Sequence, residues 1–278
     1  MDLGLTHTLK ANRFMDQGCY LIDEHGDEVL LPNAYMPDGL KEGDEIDVFV
    51  YLDSEERSVA TTIKPLIELY EFAYLKVMQV NKVGAFVDWG LVKQLFVPFS
   101  EQKAEMREGK SYLIYLDYDE KTDRLYGSYK ENKHLIFKDI DLKVGDKISA
   151  LLYEKSDLGI QAVINNKYKG LIFNSDLHKE LRLGEYTDAY VKQIRSDGKI
   201  DLVLSPVGYK MSIDPNSKII LDALAKNDGR IYLNDKSDPE AIKIQLGLSK
   251  KAFKRAVGNL YKQKVITIDS NGILLNEK

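Results

Sequence analysis

The stretch VNKVGAFVDWGLVKQLFVPFS, Val80–Ser100, decides how the chain is read. Gly84 stands between two strand-like runs, and Phe86, Trp89 and Phe96 crowd the middle, with Phe99 just after. Side chains alternate across a strand. If Ala85 and Val87 point into a core, Phe86 therefore points out. Its ring then covers a barrel end or a neighbouring domain, or it forms a platform on which something flat stacks.

The same skeleton occurs three times. DQGCYLID, EVLLPNA and LKEGDEIDVFVYLD make the first unit, NKVGAFVDW, QLFVPFS and MREGKSYLIYLD the second, and SDLGIQAVI, KGLIFNS and LRLGEYTDAYVKQI the third. Fourteen residues after Gly18, Gly84 and Gly159 come Pro32, Pro98 and Phe173, and twenty-five after them come Gly43, Gly109 and Gly184. Coincident offsets of this kind mark an internal repeat. The glycine intervals are 66 and 75 residues, so each unit is large enough for a small core of its own. The second unit predicts strands over Ala73–Val80, Ala85–Trp89, Leu95–Pro98, Ser111–Asp117 and Arg124–Ser128. They are short β-branched and aromatic runs bounded by Gly, Asp and Asn. SEQKAEMREG suits a short helical or looped crossing, and DYDEKTD a polar hairpin loop. Five strands in so few residues leave exposed sheet edges unless the sheet closes into a small barrel. The expectation is three tandem five-stranded OB-type barrels, strung like beads with linkers near Thr62–Pro65 and Lys130–His134. On such a barrel the second and third strands form the ligand face.

From Asp214 the pattern turns helical. NSKIILDALAKNDG carries a stripe of Ile219, Ile220, Ala223 and Leu224 closed by Gly229. SDPEAIKIQLG offers Ser237 or Asp238 as cap and Pro239 in the first turn, and it stops at Gly247. LSKKAFKRAVGNLYKQK follows with Ser249 as cap and Phe253, Val257, Leu260 and Tyr261 as the buried stripe. VITIDSNGILL ends in a hairpin over SNG. Helix, helix, turn, helix and hairpin resemble a winged helix-turn-helix domain. The fold class is thus mostly β with an α+β tail. The expected domains are 1–63 (acidic), 64–132, 133–211 and the winged helix over 212–278.

Charge follows this division. Net charge is −9 over residues 1–64, −2 over 65–132, +2 over 133–211 and +4 over 212–278, for −5 in all. Such asymmetry points to different partners for different parts. One cysteine, Cys19, rules out an internal disulfide and a Cys-rich zinc site. His7, His25, His134 and His178 are scattered, with no HxxxH or HExxH pair, no GxxxxGK[ST] and no GxGxxG. The acidic clusters DEHGDE and DSEER fall in predicted turns. The expectation is therefore a non-enzymatic protein with no metal or cofactor. The N-terminus lacks the pattern of a signal peptide, and no run approaches the roughly 20 apolar residues of a membrane span. A cytoplasmic location without membrane contact is expected.

The second unit resembles the RNA-binding S1-type domain through GAFVDWG (Gly84–Gly90), Ser100, Gly109 and Asp117…Arg124…Ser128. That family contacts RNA through an aromatic before the glycine, the Phe two residues after it, a His before the Ser, and an Asp and Arg on the last hairpin. Carried over, the Phe position holds Tyr20, Phe86 and Gln161, and the position before the glycine holds Gln17, Val83 and Leu158. The His position holds Pro32, Pro98 and Phe173. The hairpin pair is Asp53 and Arg57 in the first unit, while the second has Arg124 and the third Arg195 and Lys199. The RNA-contact residues expected are Phe86, Trp89, Phe96 and Arg124 in unit two, and Phe173, Lys167, Lys169, Arg195 and Lys199 in unit three. Tyr20 and Arg57 in the acidic unit one rank last, and that unit is expected to serve as a spacer or a protein contact. On the winged helix, Lys250, Lys251, Lys254, Arg255, Lys262 and Lys264 are expected to meet phosphates. The order of domains resembles the CvfB/YitL family of bacterial proteins across the whole chain. That resemblance implies RNA binding and post-transcriptional regulation, including of virulence-factor expression. Single-stranded RNA is the first expected partner. A duplex-DNA regulator led by the winged helix, and a protein scaffold docked through the acidic unit, are the alternatives.

Overall fold

The computed structural model describes residues 1–177, 180–206, 215–262, 265–269 and 271–276. His178, Asp214, Lys264 and Ser270 lie outside the described residues. The chain divides into two compact units, Met1–Val207 and Gly208–Lys278.

The first unit holds the three repeats. Strands β1 (Thr6–Met15), β2 (Gly18–Ile22), β3 (Glu28–Pro32), β4 (Glu45–Leu52) and β5 (Ser58–Thr61) form a closed barrel in the order β1-β2-β3-β5-β4. Next come β6 (Phe72–Val80), β7 (Gly84–Asp88), β8 (Leu95–Pro98), β9 (Ser111–Asp119) and β10 (Arg124–Ser128). These lie in the order β10-β9-β6-β7-β8, a half-barrel whose outer strands carry no ladder between them, where full closure was expected. A short helix, α1 (Glu131–His134), leads to β11 (Lys147–Lys155), β12 (Gly159–Ile164), β13 (Tyr168–Phe173), β14 (Tyr186–Ile194) and β15 (Ile200–Val203). These five form a second closed barrel in the same order as the first, sealed by the parallel pair β13–β15.

The repeated glycines have repeated causes. Gly18, Gly84 and Gly159 pair in register with Pro32, Pro98 and Phe173. A Cβ on any of the three would lie 2.0–2.4 Å from the carbonyl oxygen of Leu31, Val97 or Ile172, which only glycine permits. Gly43, Gly109 and Gly184 turn at φ +93°, +76° and +87°. Their N–H groups donate to the carbonyls of Ala11, Val77 and Leu152 at 2.8, 2.9 and 2.7 Å. Those carbonyls lie at the first strand's register shifts, Ala11/Arg13, Val77/Gln79 and Leu152/Glu154. One glycine thus lets strands two and three approach, and the other ties the fourth strand's entry loop to the first strand's bulge.

The barrels are not beads on a string. In β4, Val48 and Val50 fill the first barrel while Phe49 and Tyr51 face out. The outward rings join Ile67, Trp89 and Leu91 in one core with the second repeat. In β11, Ala150 and Leu152 fill the third barrel while Leu151 and Tyr153 pack with Phe72, Leu113 and Leu135. The expected linker 130–134 is α1, whose Glu131 is buried and takes Lys103 of the second repeat at 2.9 Å and Lys169 of the third at 3.4 Å.

In the second unit, α2 (Pro215–Lys226), β16 (Arg230–Ile231), α3 (Pro239–Leu246), α4 (Lys250–Lys262), β17 (Ile266–Ile268) and β18 (Ile273–Leu275) make a winged helix, its sheet ordered β16-β18-β17. Asp238 caps α3, accepting from the N–H groups of Glu240 and Ala241, and Gly247 ends it in the left-handed conformation. Ser249 Oγ accepts the Ala252 N–H at the start of α4. Ile220, Leu224, Ile242, Phe253, Val257 and Leu260 form the core. Two stripe positions differ from expectation. Ile219 is 38% exposed and Tyr261 54% exposed, because each lies at the edge of its helix's apolar arc.

Candidate nucleic-acid interface

Each repeat presents a row of three side chains across its first three strands. The rows are Arg13–Tyr20–Leu30, Gln79–Phe86–Phe96 and Glu154–Gln161–Leu171, each read from strand register. Only the second places two rings side by side. Ala85 and Val87 are fully buried and turn Phe86 to the outer face, as alternation requires. Phe86 and Phe96 are both half-buried, with centroids 5.2 Å apart and planes 37° apart.

This pair lies in a groove of about 1030 Å³ whose walls include Tyr118, Tyr126, Lys93, Lys121 and Arg124. The Tyr126 hydroxyl donates to Asp117 at 2.8 Å and the Tyr118 hydroxyl to Asp123 at 2.6 Å. Burial, then the Asp117 hydrogen bond, pushes the Tyr126 phenol well above its ordinary range, and the Asp123 hydrogen bond raises Tyr118. Both rings stay neutral and keep their hydroxyls committed, leaving their faces for contact. Lys93 reaches from the second repeat to the Asp53 carbonyl of the first at 2.7 Å, and burial lowers its pKa. The first repeat's hairpin, with Leu52, Ser54 and Glu56, supplies one wall of the groove. Nothing in the spacing of motifs announces that wall.

Other expected residues fare differently. Trp89 is 2% exposed, edge-on to Phe49 at 5.7 Å and to Tyr51 at 6.3 Å, with its Nε1–H donated to the Lys93 carbonyl. It cements two repeats and has no free face for a base. Lys169 is held by Glu131 and Asn132 with 14% of its side chain exposed, so it is a structural cation between repeats. Lys167 is exposed but precedes β13, whereas Phe173 ends it. At about 3.3 Å per residue the two are roughly 20 Å apart. Phe173 is half-buried beneath Arg195, whose guanidinium carbon is 5.4 Å from the ring centroid and whose Nη2 pairs with Asp201 at 2.6 Å. Lys199 pairs with Asp197. In the first repeat Arg13 covers Tyr20 at 3.9 Å, and Arg57 takes Asp53 at 2.7 Å.

Helix α4 turns Phe253, Ala256, Val257 and Leu260 inward. At 100° per residue, Lys251, Arg255 and Lys262 fall on the opposite arc, Lys254 lies on its flank, and Lys250 borders the apolar arc beside Val257. Lys251, Lys254, Arg255 and Lys262 are exposed and Lys250 is half-buried. Among the described residues none of the five has a carboxylate partner.

Tandem barrels with an aromatic groove, and a winged helix with a basic face, define a protein assembled from nucleic-acid-binding kinds of domain. The S1 domain family matches residues 3–63, and the CvfB-like winged helix domain matches residues 218–275. The S1 match falls on the first repeat, the one ranked last as an RNA surface. The chain is 30% identical over 264 residues to conserved virulence factor B of Staphylococcus aureus strain USA300, covering 91% of this chain and 87% of that protein. The same protein of the bovine strain RF122/ET3-1 is 30% identical over 265 residues with equal coverage. The chain belongs to the conserved virulence factor B family. A solved multidomain protein with nucleic acid binding domains from Streptococcus pneumoniae TIGR4 is 28% identical, covering 99% of this chain and 98% of that one, at a TM-score of 0.44.

Proposed function

We propose that this protein binds single-stranded RNA and regulates gene expression after transcription, in the cytoplasm. The observation that carries the reading is the in-register pair Phe86–Phe96 on the ligand face of the second repeat. The part of these rings left uncovered gains nothing from the core, whereas an unpaired base stacks on it at about 1–3 kcal/mol per base. A duplex keeps its bases stacked and cannot use such a platform. The groove walls mix Lys93, Lys121 and Arg124 with Glu56, Glu101, Asp119 and Glu120, so stacking outweighs phosphate neutralisation there. The basic face of α4 supplies the phosphate contacts that the groove lacks. The family's link to virulence fits a regulator of such factors.

The test is a titration with labelled single-stranded RNA, single-stranded DNA and duplex DNA of one length. Single-stranded RNA binds best, and Phe86→Ala or Phe96→Ala weakens it by about 1–3 kcal/mol with little loss of fold stability. Preference for duplex DNA would put the winged helix in the lead, and unchanged affinity in both variants would remove the platform.

A further inference from the structure

The strongest unassigned feature of the groove is the residue that occupies its cation. The residue before each hairpin base is left-handed in all three repeats: Glu56 at φ 63° before Arg57, Asp123 at 54° before Arg124, and Gly198 at 79° before Lys199. Glycine, asparagine and aspartate tolerate that conformation, and glutamate has no comparable ease there. Strain of this kind persists where the side chain has a task. The partners show one. Arg57 is neutralised within its own repeat by Asp53 and Glu55, and Lys199 within its own by Asp197. Arg124 instead pairs with Glu56, 68 residues away on the hairpin of the neighbouring repeat. Both side chains are about half exposed, and both line the aromatic groove. Lys93 holds that hairpin against the groove by its bond to the Asp53 carbonyl.

We infer that Glu56 stands in for a backbone phosphate, making it an intramolecular competitor that sets how tightly the second repeat's groove holds a nucleic-acid strand. The first repeat thereby completes and restrains the site of the second. A strand whose bases stack on Phe86 and Phe96 brings a phosphodiester to Arg124 and displaces Glu56. A ligand offering only an anion exchanges one oxyanion for another and gains little. The inference rests on the stacking reading of this groove.

The experiment uses the full chain and a labelled mixed-sequence single-stranded oligoribonucleotide, with anisotropy as the readout. Glu56→Gln keeps the size and the turn but removes the charge. Affinity rises about two- to fivefold, the range of an exposed ion pair. The gain shrinks as salt is raised, because screening already weakens the pair in the parent protein. It vanishes in an Arg124→Ala background. Glu56→Gly, which suits the left-handed turn, gives the same gain and guards against a misfolded Gln variant. No gain in either variant, or a gain that survives without Arg124, overturns the inference. Phe86→Ala separates the two levels: if it binds like the parent, the stacking reading itself fails. If it binds weakly while Glu56→Gln shows no gain, only the competitor role fails.

Discussion

Phe86 and Trp89 lie three residues apart in one motif yet have opposite tasks. Trp89 is packed on all sides by Phe49, Tyr51 and its own repeat. Trp89→Ala leaves a cavity at a junction of two repeats and costs about 3–5 kcal/mol, read as a lower denaturant midpoint. Phe86→Ala removes a half-exposed ring and moves that midpoint far less. A midpoint unmoved by Trp89→Ala would show that the ring is not part of the shared core. Alternation along β7 is enough to place Phe86, since Ala85 and Val87 bracket it. The same alternation carries on to Trp89, which faces inward with Ala85 and Val87 and so opposes its expected role as an RNA contact. What local pattern could not supply is its partners, which come from a strand some 40 positions upstream. Lys169 escaped for the same reason: its partner Glu131 belongs to another repeat.

At the scale of elements the repeat was legible because backbone geometry demanded the same residue each time. The glycines that a carbonyl crowds, and those that turn onto the bulge, recur at fixed offsets because the strands they join do. The second repeat's strands fall within two residues of their expected ends for the same reason. The packing between repeats also left a trace, in VFVY of β4 and ALLY of β11. A strand with one face in a barrel and the other in water alternates, whereas these runs are apolar throughout and buried on both faces. Helix α1 has a titration consequence. His134 is stacked on Tyr115 at 3.9 Å, its side chain 8% exposed, with Nε2 lacking a partner among the described residues. Burial holds its pKa below 6.5, against the opposing pull of Asp117. The folded chain therefore resists the proton that the unfolded chain accepts near pH 6.5. The stability this gives is present in full above that pH and is lost as pH falls below it. Denaturant midpoints at about pH 7.5 and pH 5.5 should diverge more in the parent than in His134→Phe. Equal divergence would mean that other groups carry the acid sensitivity.

Across the whole molecule, charge and rings are divided between parts. The acidic first repeat lends Glu56 to the groove, the second carries the platform, and the winged helix carries a basic face. If α4 contributes phosphate contacts, Lys254→Glu/Arg255→Glu weakens RNA of every sequence alike and flattens the salt slope by roughly one to two. A slope unchanged in that variant would remove the winged helix from the interface. The aromatic platform is tested by a titration of the parent and Phe86→Ala with single-stranded RNA and with duplex DNA of equal length, at two salt concentrations. The parent should prefer RNA, salt should weaken that binding, and Phe86→Ala should lose RNA while duplex binding stays as it was. Duplex DNA bound more tightly than RNA, or RNA bound equally by both proteins, would contradict the platform's role.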